Sequence, residues 1–345
     1  MVFVTAEVPG SGGQVKASPE DFRVDEIPAY QPQGSGPHLW LRVEKRGRTT
    51  PEVIRALARV LGVPEREAGY AGLKDRAAVT TQWLSFPVAR DPEPATLLGD
   101  GYRVLESSRH QNKLRTGHLR GNRFQVTVRG GDVGRARACA DALRTRGFPN
   151  FFGDQRFGAT GRNADVGRSL LLGRTEDAEA RRAARDRFLR RLVLSAWQAR
   201  VFNAWLAERL RDGLFATAIE GDVLKKLDSG GTFTCLDPAI DAPRVAAFEV
   251  SPAGPIFGHK MRAAEGEALR REERLLAAEG VTPADLARGR GETEGTRRAG
   301  RLPVAVELEA LEAGYRATFE LPSGSYATVL LAELTKTGPS AELDG

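Results

Sequence analysis

Cysteine is almost missing from this 345-residue chain. Cys139 and Cys235 stand far apart with no metal-ligand spacing around them, which excludes a disulfide framework and fits a reducing compartment. Histidine is scarce as well. His38, His110, His118 and His259 form no HxxxH-type pair, so no metal site is expected. Long apolar runs are lacking: stretches such as Thr328–Leu331 fall far below the ~20 residues that span a bilayer. The N-terminal residues carry no apolar signal core. These absences lead to the expectation of a cytoplasmic protein without a membrane partner. A phosphate loop is missing too, because Gly10-Ser11-Gly12-Gly13-Gln14-Val15-Lys16 lacks the P-loop spacing and follows no strand pattern, which argues against phosphoryl transfer.

Apolar substance and charge are both present. Hydrophobic residues make up 41% and charged residues 28%, the balance of a folded chain, and the length suffices for two cores. Lys and Arg number 51 against 45 Asp and Glu, and most of the cations are Arg. Guanidinium groups bind phosphate bidentately and stack on bases. An Arg-rich surface fits a nucleic-acid partner, and equally a solvated face.

Periodicity assigns the elements. Val15–Ser18 and Phe22–Ile27 read as strands, the second alternating apolar with charged residues, and His38–Lys45 alternates likewise. A helix is expected after Thr50 as N-cap, with Pro51 in its first position. Its apolar stripe is Val53, Ile54, Leu57, Val60 and Leu61, and Gly62 stops it. Strands are expected at Thr80–Val88, Tyr102–Ser107 and Asn122–Val128, and a helix over Val133–Arg146. Helical periodicity dominates Ala164–Arg211. Gly221–Met261 reads as short strands and turns, Ala264–Ala278 as a charged helix, and Gly289–Gly300 as a mobile polar linker. Strands return at Leu302–Glu309 and Tyr315–Leu321, before a helix from Ser325 to Leu334. Strands and helices, a helix-rich block, then strands again imply an α+β fold interrupted by an insertion.

Four segments carry chemistry. In Ala71-Gly72-Leu73-Lys74-Asp75-Arg76, Asp75 sits between two cations on a loop before a strand, which favours an ionised carboxylate; a surface ion pair explains it as well. Phe148-Pro149-Asn150-Phe151-Phe152-Gly153-Asp154-Gln155-Arg156-Phe157 interleaves rings with amide groups, suited to an extruded base or to a buried aromatic cluster. Leu321-Pro322-Ser323-Gly324-Ser325-Tyr326 leads a strand through a turn to a helix start, an anion site or an ordinary capped helix. Lys16, six residues before Phe22, lies on a strand–turn–strand that says little by itself.

In order and spacing, the GLKD segment with its downstream TxQW, PNFFGDQRFG, LSAWQARVFN and LPSGSYAT together resemble the TruD family of pseudouridine synthases over nearly the whole chain. The resemblance implies a pseudouridine-synthase-type catalytic domain with a mixed antiparallel sheet and helices, formed by residues 1–160 and 302–345. An inserted α+β domain would occupy 161–301. It implies isomerisation of a uridine in RNA: uracil is detached from C1′, rotated and rejoined through C5. No cofactor is needed for that. The implied substrate is tRNA, at position 13 in the D-arm of tRNA-Glu. Asp75 matches the catalytic carboxylate, acting as nucleophile or base toward the sugar or the uracil. Asn150 and Phe152 match residues that contact the target base, and Phe22, Lys16 and Tyr326 match other positions around it. A monomer without an obligate protein partner is expected. The rival function is a non-catalytic RNA-binding or RNA-chaperone protein on the same fold.

Overall fold

The computed structural model describes residues 2–93, 97–288 and 293–337. Alternating sequence at both ends of that span builds one nine-stranded sheet. The early strands are Gln14–Val15 (β1), Phe22–Pro28 (β2), His38–Arg46 (β3), Gly69–Tyr70 (β4), Val79–Pro87 (β5), Tyr102–His110 (β6) and Leu119–Arg129 (β7). Helix Thr50–Leu61 (α1) lies between β3 and β4, and Val133–Arg146 (α2) follows β7.

The chain then leaves this sheet. Phe148–Pro149 (β8) leads to the helices Asn163–Leu171 (α3), Ala178–Arg185 (α4) and Arg187–Arg211 (α5). Val223–Lys226 (β9), Thr232–Thr234 (β10), Pro238–Ala246 (α6) and Val250–Ile256 (β11) come next. Gly266–Glu279 (α7), Pro283–Arg288 (α8), Thr296–Ala299 (β12) and Arg301–Leu302 (β13) complete the excursion. Strands β10, β9, β11 and β12 pair in that order as a second sheet, and β13 pairs with β8. Val306–Leu311 (β14) and Gly314–Pro322 (β15) rejoin the first sheet before Ala327–Thr335 (α9). The first sheet runs β14-β15-β7-β2-β5-β3-β6, with β1 on β7 and β4 on β5. An α+β fold with a mixed sheet is what the sequence predicts.

One face of this sheet is apolar in both halves. Phe22 and Val24 of β2 point with Phe124 and Val126 of β7 and with Ala317 and Phe319 of β15, in register. Phe22 meets Phe124 edge-on at 6.1 Å, and Phe124 stacks on Phe319 at 5.2 Å. Cys139 and Leu143 of α2 and Leu330 and Leu334 of α9 join the same cluster. In the other half, Leu39, Leu41 and Val43 of β3 and Leu84 and Phe86 of β5 meet Val53, Ile54 and Leu57 of α1. Val60, at the edge of the helix stripe in its last turn, is exposed instead.

The helix is capped by Thr49, not by Thr50. Glu52 stands three residues after Thr49, so a reciprocal capping box closes: Thr49 N donates to Glu52 Oε2 at 2.6 Å and Glu52 N to Thr49 Oγ1 at 3.3 Å. That frees the Thr50 hydroxyl for the site described below. Gly62, at φ 67°, supplies the left-handed C-cap that the sequence implies. Gly221–Met261, read as strands and turns, also holds α6. Asp237 caps it through Ala239 N at 2.8 Å, and Pro238 starts it. No described helix is long and apolar enough to cross a membrane.

Ion pairs lock the second sheet to its helices. Arg297 of β12 donates through Nη1 and Nη2 to Glu272 of α7 at 2.5 and 3.0 Å, and Arg209 of α5 donates to Asp222 at 2.9 Å. The Arg297 and Glu272 side chains are 1% and 5% exposed. Replacing Glu272→Ala strands a buried guanidinium, a change that typically costs about 3–5 kcal/mol. Urea unfolding of the variant should show a loss of that size, and a loss below about 1 kcal/mol would mean that the pair is not what holds this region.

Candidate active site

The loop from Gly72 to Ala77 enters β5 beside its parallel pairing with β2, where Arg23, Val24 and Asp25 align with Val79, Thr80 and Thr81. This is the single parallel pairing among the described strands. Polar bonds fix the loop on the sheet. Lys74 N donates to Thr50 Oγ1 at 3.0 Å, and Gln82 Nε2 donates to Gly72 O at 3.1 Å. The Lys74 side chain turns inward. Its Nζ donates to Asn122 Oδ1 of β7 at 2.9 Å and lies 2.8 Å from Glu26 Oε2 of β2. The Glu26 contact acts through charge, because that oxygen accepts no hydrogen bond in good geometry.

With Lys74 turned in, its neighbours turn out: Leu73 is 65% exposed and the Asp75 side chain 41%. Sequence reading expects the flanking cations Lys74 and Arg76 to hold Asp75 ionised. Neither does so. Lys74 is committed to Glu26 and Asn122, and Arg76 Nε donates to Gly47 O at 3.2 Å. The cation that meets Asp75 is Lys16, whose Nζ donates to Oδ2 at 2.6 Å, while Ala77 N donates to Oδ1 at 3.0 Å. Burial pushes the Asp75 carboxyl up. The hydrogen bond and charge of Lys16, with the Ala77 amide and the charge of Lys45, outweigh it and hold the group below its usual range.

Lys16 reaches this position by a break in a strand. Val15 of β1 pairs with Val128, and Phe22 of β2 already pairs with Val126 of the same partner strand. Residues 16–21 are therefore looped out of the ladder, and the strand expected through Ser18 stops at Val15. Lys16 turns the corner at φ 59°, a conformation disfavoured for a residue with a side chain. Asp21 closes the loop, accepting from Ser18 N at 3.0 Å and from Arg129 Nε and Nη2 at 2.8 Å each. Phe22 is 5% exposed, and Lys16 Nζ lies 4.5 Å from its ring centre.

Lys45 is a member that sequence reading misses. It occupies the buried phase of β3 with Leu39, Leu41 and Val43, and a Lys at that phase is the signal that was there to be read. Its Nζ donates to Asp75 O at 2.7 Å. Burial pushes its ammonium down to about 8, against the pull of the Asp75 charge.

Asn150, Phe152 and Tyr326 form a second group around Arg298. Asn150 is 5% exposed. Its Nδ2 donates to Ala299 O at 2.9 Å, and its Oδ1 accepts from Arg298 Nη2 at 2.6 Å and Ser325 Oγ at 2.9 Å. Phe152 is half-buried, edge-on to Phe202 at 5.5 Å and to Tyr326 at 5.8 Å. The Arg298 guanidinium carbon lies 4.1 Å from the Phe152 ring centre. Asn203 of α5 clamps the Phe152 backbone: Phe152 N donates to Asn203 Oδ1 and Asn203 Nδ2 donates to Phe152 O, both at 2.9 Å. Tyr326 precedes α9. Burial raises its hydroxyl, opposed by the charges of Arg156 and Arg298.

Arg298 corrects the expectation of a mobile linker over Gly289–Gly300. Residues 296–299 are strand β12, paired with β11 from Ala253↔Ala299 to Ile256↔Thr296, and residues 289–292 lie outside the described residues. Phe22 belongs to the apolar cluster against which Phe152 and Tyr326 pack, so both groups border one core. The first group offers an ionised, reachable carboxylate held by an ammonium, fit for a nucleophile or base. The second offers aromatic faces edged by guanidinium, fit for stacking. Among the described residues, no three His, Cys, Asp or Glu side chains converge as metal ligands would.

The family model of tRNA pseudouridine synthase D (TruD) matches residues 1–184 and 177–334. A tRNA pseudouridine synthase D of Anaeromyxobacter sp. (strain Fw109-5) is 71% identical over 345 residues, covering 99% of each chain. That of a Thermus thermophilus strain is 42% identical over 340 residues, covering 97% of this chain and 92% of its own. A crystal structure from Methanosarcina mazei, described as a candidate tRNA pseudouridine synthase D (TruD), superposes with a TM-score of 0.78 at 24% identity, over 98% of this chain and 97% of that one. At that identity the likeness speaks for the fold alone. The matched model spans both ends of the nine-stranded sheet and everything between them, and the chain belongs to the tRNA pseudouridine synthase D (TruD) family.

Proposed function

We propose that this protein isomerises a uridine of tRNA to pseudouridine, at position 13 in the D-arm of tRNA-Glu, with Asp75 as the catalytic carboxylate. The observation that carries the reading is the state of Asp75: ionised by Lys16, 41% open to solvent, on a loop anchored by a buried ammonium. A uridine inside a helix exposes neither its C1′ nor its C5 to a protein carboxylate, so the nucleotide must be extruded. In the site it stands beside Asp75, with its base against Phe152 and Tyr326. Phe22 forms the far wall.

The reaction conserves every atom except one exchanged proton. The C1′–N1 bond breaks, uracil turns, a C1′–C5 bond forms, and the C5 proton leaves while N1 gains one. Asp75 supplies the electron pair, either to the sugar or to a proton, and Lys16 balances its charge as that pair is used. Asn150 holds Arg298 and the Ser325 turn in place, which fixes the rings that meet the base. Residues 161–301 act as an inserted domain that bears on substrate choice, while 1–160 and 302–345 hold the chemistry. The excursion from β7 to β14 supports that division.

Asp75→Asn keeps the shape and removes the charge. Turnover, read as tritium released from C5-labelled tRNA, should fall roughly a thousandfold or more while tRNA binding stays near wild type. A variant retaining a tenth of wild-type turnover would exclude Asp75 as the essential carboxylate.

Phe152→Ala should weaken activity by the loss of stacking, about 1–3 kcal/mol per base. Single-turnover rates and melting curves separate this from a core role, which would lower the melting temperature and leave the folded enzyme active.

Lys45 gives the pH limb its sign. Its ammonium, at about 8, is charged below that pH and neutral above it, so the bond that steadies the Asp75 backbone weakens as pH rises. Wild-type turnover should decline through pH ~8, and Lys45→Met should be low and flat there. A wild-type profile unchanged up to pH ~9.5 would contradict this role.

A further inference from the structure

Cations that are shielded from water in this protein are generally matched. Lys74 faces Glu26, Arg297 faces Glu272, Arg209 faces Asp222, and Arg200 faces Asp165 and Glu279. Arg301 instead meets backbone carbonyls of α2 and α6 at Thr145, Arg146 and Val245, where helix C-termini carry negative partial charge.

Three cations break the pattern, two of them against the Phe152 ring and one beside the strand that carries Arg298. Arg298 gives its guanidinium to neutral oxygens: Asn150 O at 3.1 Å, Asn150 Oδ1 at 2.6 Å and Gly324 O at 2.9 Å. Arg156, in the turn Asp154–Phe157, has its guanidinium carbon 5.7 Å from the Phe152 ring centre, and its Nε is buried with no hydrogen-bond partner. Lys225 of β9 is half-buried and gives Nζ to the Arg297 carbonyl at 3.2 Å. Arg298 links the other two electrostatically. Burial lowers both Lys225 and Arg298, the latter to about 10, and the Arg298 charge adds to the effect on Lys225 as Arg156 does on Arg298. Among the described residues no carboxylate pairs with any of them. Gathering like charges with little water around them is unfavourable, and it becomes favourable once an anion binds.

We propose that Arg156, Lys225 and Arg298 form a subsite for an RNA phosphodiester adjoining the nucleotide whose base stacks on Phe152 and Tyr326. The inference takes its ligand from the reading of this chain as an RNA uridine isomerase. Two guanidinium forks and an ammonium match the oxygens of a phosphodiester. They come from β12, β9 and the turn after Gly153, so the subsite joins the second sheet to the base-binding segment.

The test measures tRNA binding across a salt series for wild type, Arg156→Gln, Lys225→Gln, the double variant and the charge-keeping Lys225→Arg. Arg298 is left in place because it also holds Asn150. Melting curves monitor the fold, and glutamine at 225 retains a donor for the Arg297 carbonyl. The double variant should bind roughly tenfold more weakly near physiological salt, and its slope of log K against log salt should fall by about one, for the one phosphate that the subsite neutralises. Lys225→Arg should keep the wild-type slope. A tRNA with one uncharged methylphosphonate beside the target uridine should bind wild type more weakly and the double variant no worse than ordinary tRNA. An unchanged slope in the folded double variant, or a full methylphosphonate penalty in it, overturns the subsite. Wild-type turnover on the same tRNA reads the reaction separately. Turnover with an unchanged slope removes the subsite and keeps the isomerase, whereas a reduced slope without turnover keeps the phosphate contact and removes the isomerase.

Discussion

The buried ammonium of Lys74 is the constraint on which the site depends. A charge with a side chain only 5% exposed is tolerable where an opposite charge and a hydrogen-bond acceptor meet it. Glu26 of β2 and Asn122 of β7 are adjacent in the ladder and provide both. Once Lys74 is drawn to them, the loop must lie across the sheet beside the parallel β2–β5 pairing, and the next residue must point away. Asp75 is that residue. Thr50, released from capping by Thr49, ties the loop to α1 and through Gln82 to β5. The Asp75 carboxylate thus stands on a rigid base, half open to solvent.

The second half of the site depends on the excursion from the main sheet. Phe152 is clamped at both backbone atoms by Asn203 of α5, and its ring lies under Arg298 of β12. Helix, strand and aromatic segment belong to one packed unit, so the rings of Phe152 and Tyr326 could not keep this geometry without the second sheet. The LSAWQARVFN helix is therefore part of the support of the site, with Phe202 and Asn203 as its points of contact. That unit also delivers the unmatched cations, and the proposed phosphate subsite follows from where it docks.

Local patterns made much of this legible. Phe22–Ile27, His38–Lys45 and Val133–Arg146 alternate or cap as isolated segments do, and their strands and helix follow within a few residues. The motif around Asp75 also marks its loop. What could not be read from the sequence is long-range. Lys16 lies 59 residues from Asp75, and it reaches the carboxylate only because residues 16–21 leave the ladder of β7, a break that nothing in Val15–Ser18 announces. Lys74 and Arg76 are nearest in sequence but turn elsewhere, because buried partners and the Gly47 carbonyl take them. Arg298 hides in a Gly-rich polar stretch whose strand exists through pairing with β11. Asn150, whose amide the sequence offers to a base, spends its oxygen and an N–H on Arg298, Ser325 and Ala299.

Pseudouridine mapping at single-nucleotide resolution tests the central claim most directly. Purified protein is incubated with unmodified tRNA-Glu transcript, without added cofactor, and total RNA from cells with and without the gene is mapped alongside. The account predicts a new pseudouridine at one D-arm uridine of the transcript, at the same position that loses its pseudouridine when the gene is removed. A transcript that stays unmodified under conditions where it binds, with no position lost in the cells, would contradict the account and leave an RNA-binding protein on this fold.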